Sequence, residues 1–496
     1  MALTEKHIWN IFVYVLPRFI GYGINILTLP ILTRILSPAD FGIITLAWIF
    51  PSITAGILTL CLGAATQRFY FEYKSDKKKL DALIFSSQVF LYAVFILSAF
   101  IVFFFKGGIA QLVIRDRGLG QAVFITFLAA YLAQIVNFYL LLYQSMEKAR
   151  LYSVFTTLQT LIYASASLLL VWGLRAGYMG MLYGSLIGES IVCAVILVHF
   201  NQNLKADFRP KVLWENIKFG LQIVPKSLTG FINRFFDKYM LNNMLSLSVV
   251  GVYNIGQNIG NTIFILMNTI WSSFQPVCYS GVFEKGKEAS RSTGRLFTIF
   301  CYLTMAPLIM AVIFAQEVVY LLAPPAYYPA INIIIIICAA MSTNIFGMFV
   351  GVQYAYSKKA YWIFPVSVIG TLANVGANIF FIPRFGLIGA GISVVVTYTV
   401  SNLLLTVIGQ KLYRIEYEWR NLVLLFGNLV VTMGLIIFLR SRHFNGFNLY
   451  AVKGILLFLF VLIGVKAGII NRNTISRLNS MLKGAKNVNQ GEVQPL

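Results

Sequence analysis

Arg18, Glu189, Lys226, Arg234, Asp237 and Lys238 each interrupt a run of sequence otherwise apolar enough to cross a bilayer. On an α-helix of about 100° per residue, Tyr14, Arg18, Tyr22 and Asn25 share one face of the first run. In the seventh, Gln222, Lys226, Asn233 and Asp237 share a face, with Arg234 about 80° from Lys226. Lys, Arg or Asp at a helix centre costs about 2.5–3.5 kcal/mol on insertion, so four in one helix cost roughly 10–14 kcal/mol, while each Leu, Ile or Phe returns only about 0.3–0.6. The seventh helix cannot turn this stripe to lipid; the stripe is expected to line a water-accessible space in which cations attract an anionic ligand. Two plainer arrangements compete with that one. Arg234 and Asp237, at i, i+3, can neutralise each other in an internal salt bridge. Lys226 and Lys238, about 18 Å apart along the axis, can snorkel to opposite interfaces. Arg18 and Lys226 have no obvious acidic neighbour in their own helices. Each follows a proline, Pro17 or Pro225, which frees a carbonyl and can kink the helix where a cavity or hinge is useful.

Uncharged stripes accompany the charges. Asn254, Asn258, Asn261 and Asn268 mark the eighth run, Ser367, Thr371, Asn374 and Asn378 the eleventh, and Thr156, Thr160, Tyr163 and Ser167 the fifth. Singly such residues are interhelical glue; together they suit a large, hydrated, hydroxyl-rich ligand. Arg18, Lys226, Arg234, Tyr22, Asn25 and Asn374 are therefore the candidate substrate-binding residues, and Asp237 and Glu189 the candidate cation-coupling residues. The five cysteines lack CxxC spacing and the three histidines are scattered, so no disulfide, metal or cofactor is expected and no catalytic set can be drawn.

The elements that position these residues follow from composition. Of 496 residues, 58% are hydrophobic and 11% charged, with a mean hydropathy of +0.78, which excludes a soluble globular chain. The apolar runs have the length of spanning helices, and none shows the period-2 alternation of barrel strands. The pattern predicts an all-α integral membrane protein of about fourteen transmembrane helices. A net charge of +22 would suggest nucleic acid in a soluble chain. Here most of the Lys and Arg fall in alternate loops, such as EYKSDKKKLD from Glu72 to Asp81, which puts both termini in the cytoplasm and makes anionic lipid headgroups, not nucleic acid, the expected neighbours.

The chain also repeats itself. Pro17-Arg18 recurs as Pro225-Lys226, 208 positions on; LSPADFG from Leu36 recurs as LSLSVVG from Leu245, and GYMG from Gly177 as GLIG from Gly386, both at 209; Ala149 recurs as Ala360 at 211. Six spans per copy is an even number, so the copies enter the membrane in one orientation, as parallel-repeat lobes around a substrate path. The expected domains are a six-helix lobe over 1–212, a second over 213–415, two extra transmembrane helices over 416–470, and a basic cytoplasmic tail over 471–496.

The N-terminal run PRFIGYGINILTLPILTRILSPADFGIITLA, with its LTRxLxPxDFG signature, resembles the opening of bacterial Wzx-type polysaccharide flippases of the multidrug/oligosaccharidyl-lipid/polysaccharide exporter superfamily. APPAYYPA, Ala323 to Ala330, resembles that family's outer loop after the ninth span, and PRFGLIGAG, Pro383 to Gly391, its eleventh and twelfth. The resemblance implies alternating access and transport of an undecaprenyl-diphosphate-linked oligosaccharide from the cytoplasmic to the periplasmic leaflet of the bacterial inner membrane. O antigen or a similar polysaccharide is the implied product, with a glycan polymerase and other export proteins as partners. By placement, Arg18, Lys226 and Arg234 match the cationic cavity residues of the family. Drug exporters of the superfamily commonly carry a carboxylate in the first helix; this sequence has no acid between His7 and Ser37, which disfavours a drug/cation antiporter. A membrane glycan polymerase or ligase fits less well, because the longest outer loop, Lys106 to Gly118, lacks His, Glu and Cys.

Overall fold

The computed structural model describes residues 5–202, 204–442 and 447–469, with the backbone alone given for 5–12, 15, 18, 226 and 447. All its regular elements are helical. In chain order they are α1 (Glu5–Ile35), α2 (Pro38–Tyr73), α3 (Lys77–Val113), α4 (Gly120–Ser145), α5 (Ala149–Gly173), α6 (Gly177–Asn201), α7 (Pro210–Met244), α8 (Leu247–Lys285), α9 (Ser290–Ile313, continued by Ala315–Leu322), α10 (Ala330–Ser357), α11 (363–385), α12 (387–412), α13 (Trp419–Ser441) and α14 (Phe447–Lys466). Ten stretches, two of them holding a pair of consecutive helices, are long and apolar enough to cross a membrane; α1 contributes the shorter apolar piece Phe19–Ile35, and the polar α7 stands outside the ten. The chain is a multi-pass α-helical membrane protein.

Local chemistry sets the helix limits. Ser37 and Asp40 close a capping box at the start of α2, with Asp40 N–H donating to Ser37 Oγ at 3.2 Å and Ser37 N–H to Asp40 Oδ2 at 2.9 Å, and Pro38 occupies the first turn, where no donor is missed. Asp76 caps α3 through Lys79 N–H. Partway along, α2 bends at Leu60 and Cys61, whose φ values are +50° and +51°.

The sequence recurrence has a backbone counterpart. Gly177, between α5 and α6, and Gly386, between α11 and α12, are repeat equivalents and have φ of +57° and +55°. Glu147 and Lys358, again equivalent, reverse the chain at +57° and +55°. At Gly386 ψ is −128°, a conformation closed to residues with a Cβ except under strain. Gly386→Ala should lower stability by about 1–3 kcal/mol. Gly376→Ala in the same hairpin, where a Cβ would meet nothing within 4 Å, should be neutral or slightly stabilising. Thermal unfolding of the two variants in lipid nanodiscs checks the contrast.

Contacts divide the molecule into two units. One holds the described residues up to Asn254 with Leu322–Ala326; the other holds Ile255–Leu321 and those from Tyr327 on. This division follows packing rather than recurrence, so α7 and the start of α8 group with α1–α6 instead of with the residues beyond 254. In the first unit α4 is the central helix: Phe127, Tyr131, Ile135, Phe138, Tyr139 and Tyr143 lie at the core, and Tyr131 OH reaches Leu91 O on α3. Further along, Asn216 of α7 gives its amide to Thr66 of α2 and Ser87 of α3, at 2.8 and 2.9 Å. In the second unit α10 takes the central place, with Ile333, Ile334, Ile335 and Ile337 buried. The two C-terminal helices are fastened to that unit by polar contacts. Arg295 of α9 binds Glu418 before α13 at 2.9 Å and the carbonyls of Ala467 and Gly468 after α14, Arg440 of α13 donates to Asn332, and Lys453 of α14 pairs with Glu317. The expected tail, 471–496, lies outside the described residues.

Candidate functional site

The charged turn of α7 gathers a buried carboxylate, a buried ammonium and an exposed guanidinium. Asp237 is fully buried and accepts two hydrogen bonds, from Tyr253 OH of α8 at 2.5 Å on Oδ2 and from the backbone N–H of Lys238 at 2.8 Å on Oδ1, and its Oδ1 forms an ion pair with the Lys238 ammonium at 3.6 Å. The Lys238 ammonium also donates to Arg234 O, one turn back, at 2.8 Å and lies 5.5 Å from the Tyr253 ring centre. Arg234 is exposed, its guanidinium 5.9 Å from the Phe235 ring centre.

This corrects two of the sequence-based alternatives. Asp237 pairs with Lys238 rather than with Arg234. Lys238 is 3% exposed and does not snorkel, because a carboxylate, a phenol ring and the Arg234 carbonyl already surround its ammonium. Neutralising the buried pair leaves Arg234 as the exposed cation of the turn. The arrangement can present positive charge to an anionic ligand while holding a carboxylate shielded from it.

A second polar group joins α5 to α6. Glu189 is half-buried, and the Gln159 amide donates to both of its oxygens, at 2.8 and 2.9 Å. Small residues allow this approach: Gly188 lies so close to the Tyr163 backbone that an added Cβ would sit 3.1 Å from it. α1 packs on the same helix, with the Tyr14 ring 5.2 Å from that of Tyr152 and Gly21 facing Thr160. Along α1, Arg18 therefore falls between two positions that touch α5; its side chain, and that of Lys226 on α7, lie outside the described residues. Tyr22 and Asn25 are exposed on α1. Asn374, in the second unit, is 2% exposed, and its amide donates to Thr397 of α12 at 3.0 Å while Asn378 donates to its carbonyls. In this conformation Asn374 joins two helices.

The structure thus brings Asp237 and Lys238 together beside Arg234. Glu189 shares no hydrogen bond or ion pair with that turn among the described residues. Two hydrogen-bond partners of these carboxylates escaped the sequence reading. Gln159 carried a signal, since it sits at i+3 from Thr156 and i−4 from Tyr163. Tyr253 carried none, because its contact depends on how α8 folds back from α7. No group of three His, Cys, Asp or Glu among the described residues could hold a metal.

Residues 8–280 match a family model described as polysaccharide biosynthesis protein. No curated protein matches the chain. Among solved structures, the chain is similar to a lipid II flippase, MurJ, in an inward closed conformation, at a TM-score of 0.70 and 14% identity, over 93% of this chain and 98% of that one. It is also similar to an inward-facing MATE-family multidrug resistance transporter of the MOP superfamily, at 0.60 and 17%, covering 78% and 94%. A third, a MOP superfamily transporter from Pyrococcus furiosus Vc1 described as having a binding pocket of reverse polarity, gives 0.56 and 16%, covering 82% and 95%. The fold is that of MOP-superfamily transporters.

Proposed function

Because the chain belongs to the polysaccharide biosynthesis protein family, we propose that it is a flippase, carrying an undecaprenyl-diphosphate-linked oligosaccharide from the cytoplasmic to the periplasmic leaflet of a bacterial inner membrane. The observation that carries the reading is the placement of cations in the lead helix of each repeat: Arg18 in α1, and Lys226 with Arg234 in α7. A diphosphate is a compact anion of the kind guanidinium and ammonium groups bind. The polyprenyl chain stays in lipid while the hydrated sugars pass beside the polar stripes, which include Tyr22 and Asn25. Alternating access of two parallel repeats exposes the headgroup to each side in turn. Exposed Lys74 before α3, and Lys77, Lys78 and Lys79 in its first turn, support a cytoplasmic position for that connection and, with it, for both termini. Asp237 and Glu189 are the groups through which an ion or proton gradient would act.

Depletion in cells tests the reading. Single lipid-linked repeat units should accumulate facing the cytoplasm, resistant to a glycan-modifying enzyme added to spheroplasts and sensitive in inverted vesicles. Accumulation at the periplasmic face would instead assign a polymerase or ligase. No accumulation, together with resistance to cationic dyes on overexpression, would assign a drug/cation antiporter.

A further inference from the structure

Equivalent residues of the two repeats meet each other at one end of the first packing unit. A Cβ added to Gly42 at the start of α2 would overlap the carbonyl of Leu247, and one added to Gly251 near the start of α8 would overlap the carbonyl of Pro38. Pro38 and Leu247 are equivalent at the 209-residue offset, as are Gly42 and Gly251. Each glycine therefore meets the repeat equivalent of the residue that the other meets, the pattern a two-fold axis generates when one surface packs on itself.

A second pair of contacts obeys the same exchange. Thr33 Oγ1, near the end of α1, donates to Leu322 O at 2.7 Å, in the segment that follows the third span of the second repeat. Asn242 Nδ2, near the end of α7, donates to Ile114 O at 3.0 Å, just after the third span of the first. Thr33 and Asn242 are again 209 apart; Ile114 would map to Ala323, one residue from the acceptor used. Thr33 is 1% and Asn242 9% exposed, so neither bond is a surface accident. Leu322–Ala326 packs with this unit rather than with the helices on either side of it. All these residues lie where an odd-numbered helix ends or the following one begins, so all are on one side of the membrane, the outer side in the orientation proposed above.

We propose that these exchanged contacts form a pseudo-two-fold latch that locks the repeats together at the outer face and parts whenever the transport path opens outward. The latch rests on the alternating-access reading. It is built for repeated closure, because backbone meets backbone at the two glycines with no side chain to repack, and because two directed hydrogen bonds to carbonyls fix one register. It also supplies a role for the repeated SPxDFG and SLxVVG starts that the charged helices do not.

Spin labels at Ile35→Cys and Met244→Cys, exposed equivalents at the ends of α1 and α7, read the latch by pulsed dipolar spectroscopy in a Cys61→Ser background. The otherwise native chain should give a dominant short-distance population. The double variant Gly42→Ala/Gly251→Ala should move the open-to-closed ratio by about tenfold or more toward longer distances. Thr33→Val/Asn242→Leu, which removes the donors at nearly constant volume, should shift it in the same direction. An unchanged distribution in the second pair overturns the latch, even if the first pair does not fold. The labels are read without glycan, so the two ideas fail separately: a latch that opens as expected without glycan delivery removes the flippase reading alone, and intact delivery with unmoved distances removes the latch alone.

Discussion

Asp237→Ala should lower the stability of the protein by about 3–5 kcal/mol, the cost of leaving a buried ammonium without its counter-ion. Lys238 is 3% exposed, and the carboxylate is its nearest opposite charge. Tyr253 OH loses its acceptor in the same substitution, adding to the deficit. The double variant Asp237→Leu/Lys238→Met should recover most of the loss, since apolar side chains of similar volume commonly replace a buried ion pair at no net cost. Chemical or thermal unfolding in nanodiscs reads both. Equal loss in the single and double variants would mean that the pair does not carry the energy assigned to it. The double variant also separates fold from coupling: a stable protein that no longer responds to the ion gradient would place the coupling group at Asp237.

Arg234→Ala should have little effect on stability, because the guanidinium is exposed and, among the described residues, engages a ring face 5.9 Å away. Its expected effect is on delivery. Charge-assisted hydrogen bonds contribute about 1.5–3 kcal/mol each, so losing one to a diphosphate should weaken substrate engagement by about tenfold or more. Arg18→Ala and Lys226→Ala should act in the same direction, and Arg234→Lys should keep part of the function, since a point charge survives without the planar fork. Surface glycan per molecule of the protein, at matched expression, is the measurement. Normal delivery in all three alanine variants would remove the anionic headgroup from the account of these residues.

The helices were legible in the sequence because membrane insertion is decided by runs of composition, which a linear reading sees directly. The Gly177 and Gly386 reversals were legible as recurrences, although only the backbone explains why glycine is needed there. Side-chain partners were harder to read. The i, i+3 rule paired Arg234 with Asp237, but in the folded chain the adjacent Lys238 wins, because burial on the α8 side supplies Tyr253 and leaves Arg234 outside. Asn374 illustrates the reverse: its stripe on α11 was visible, but whether it faced a ligand or a helix depended on Thr397, 23 residues later across a hairpin. The Lys453–Glu317 pair was invisible for the same reason, since each residue reads alone as an isolated charge in an apolar segment.

The reversal between α11 and α12 turns on a single residue, Gly386, with no intervening loop. Adding or deleting one amino acid there would turn the whole of α12 by about 100° about its axis. Thr397 would swing away from Asn374, and Val396 on insertion or Tyr398 on deletion would take its place. Epitope tags, fusion partners and length polymorphism are thus barred from this junction, whereas the exposed α2–α3 connection around Ser75 has the slack to carry them.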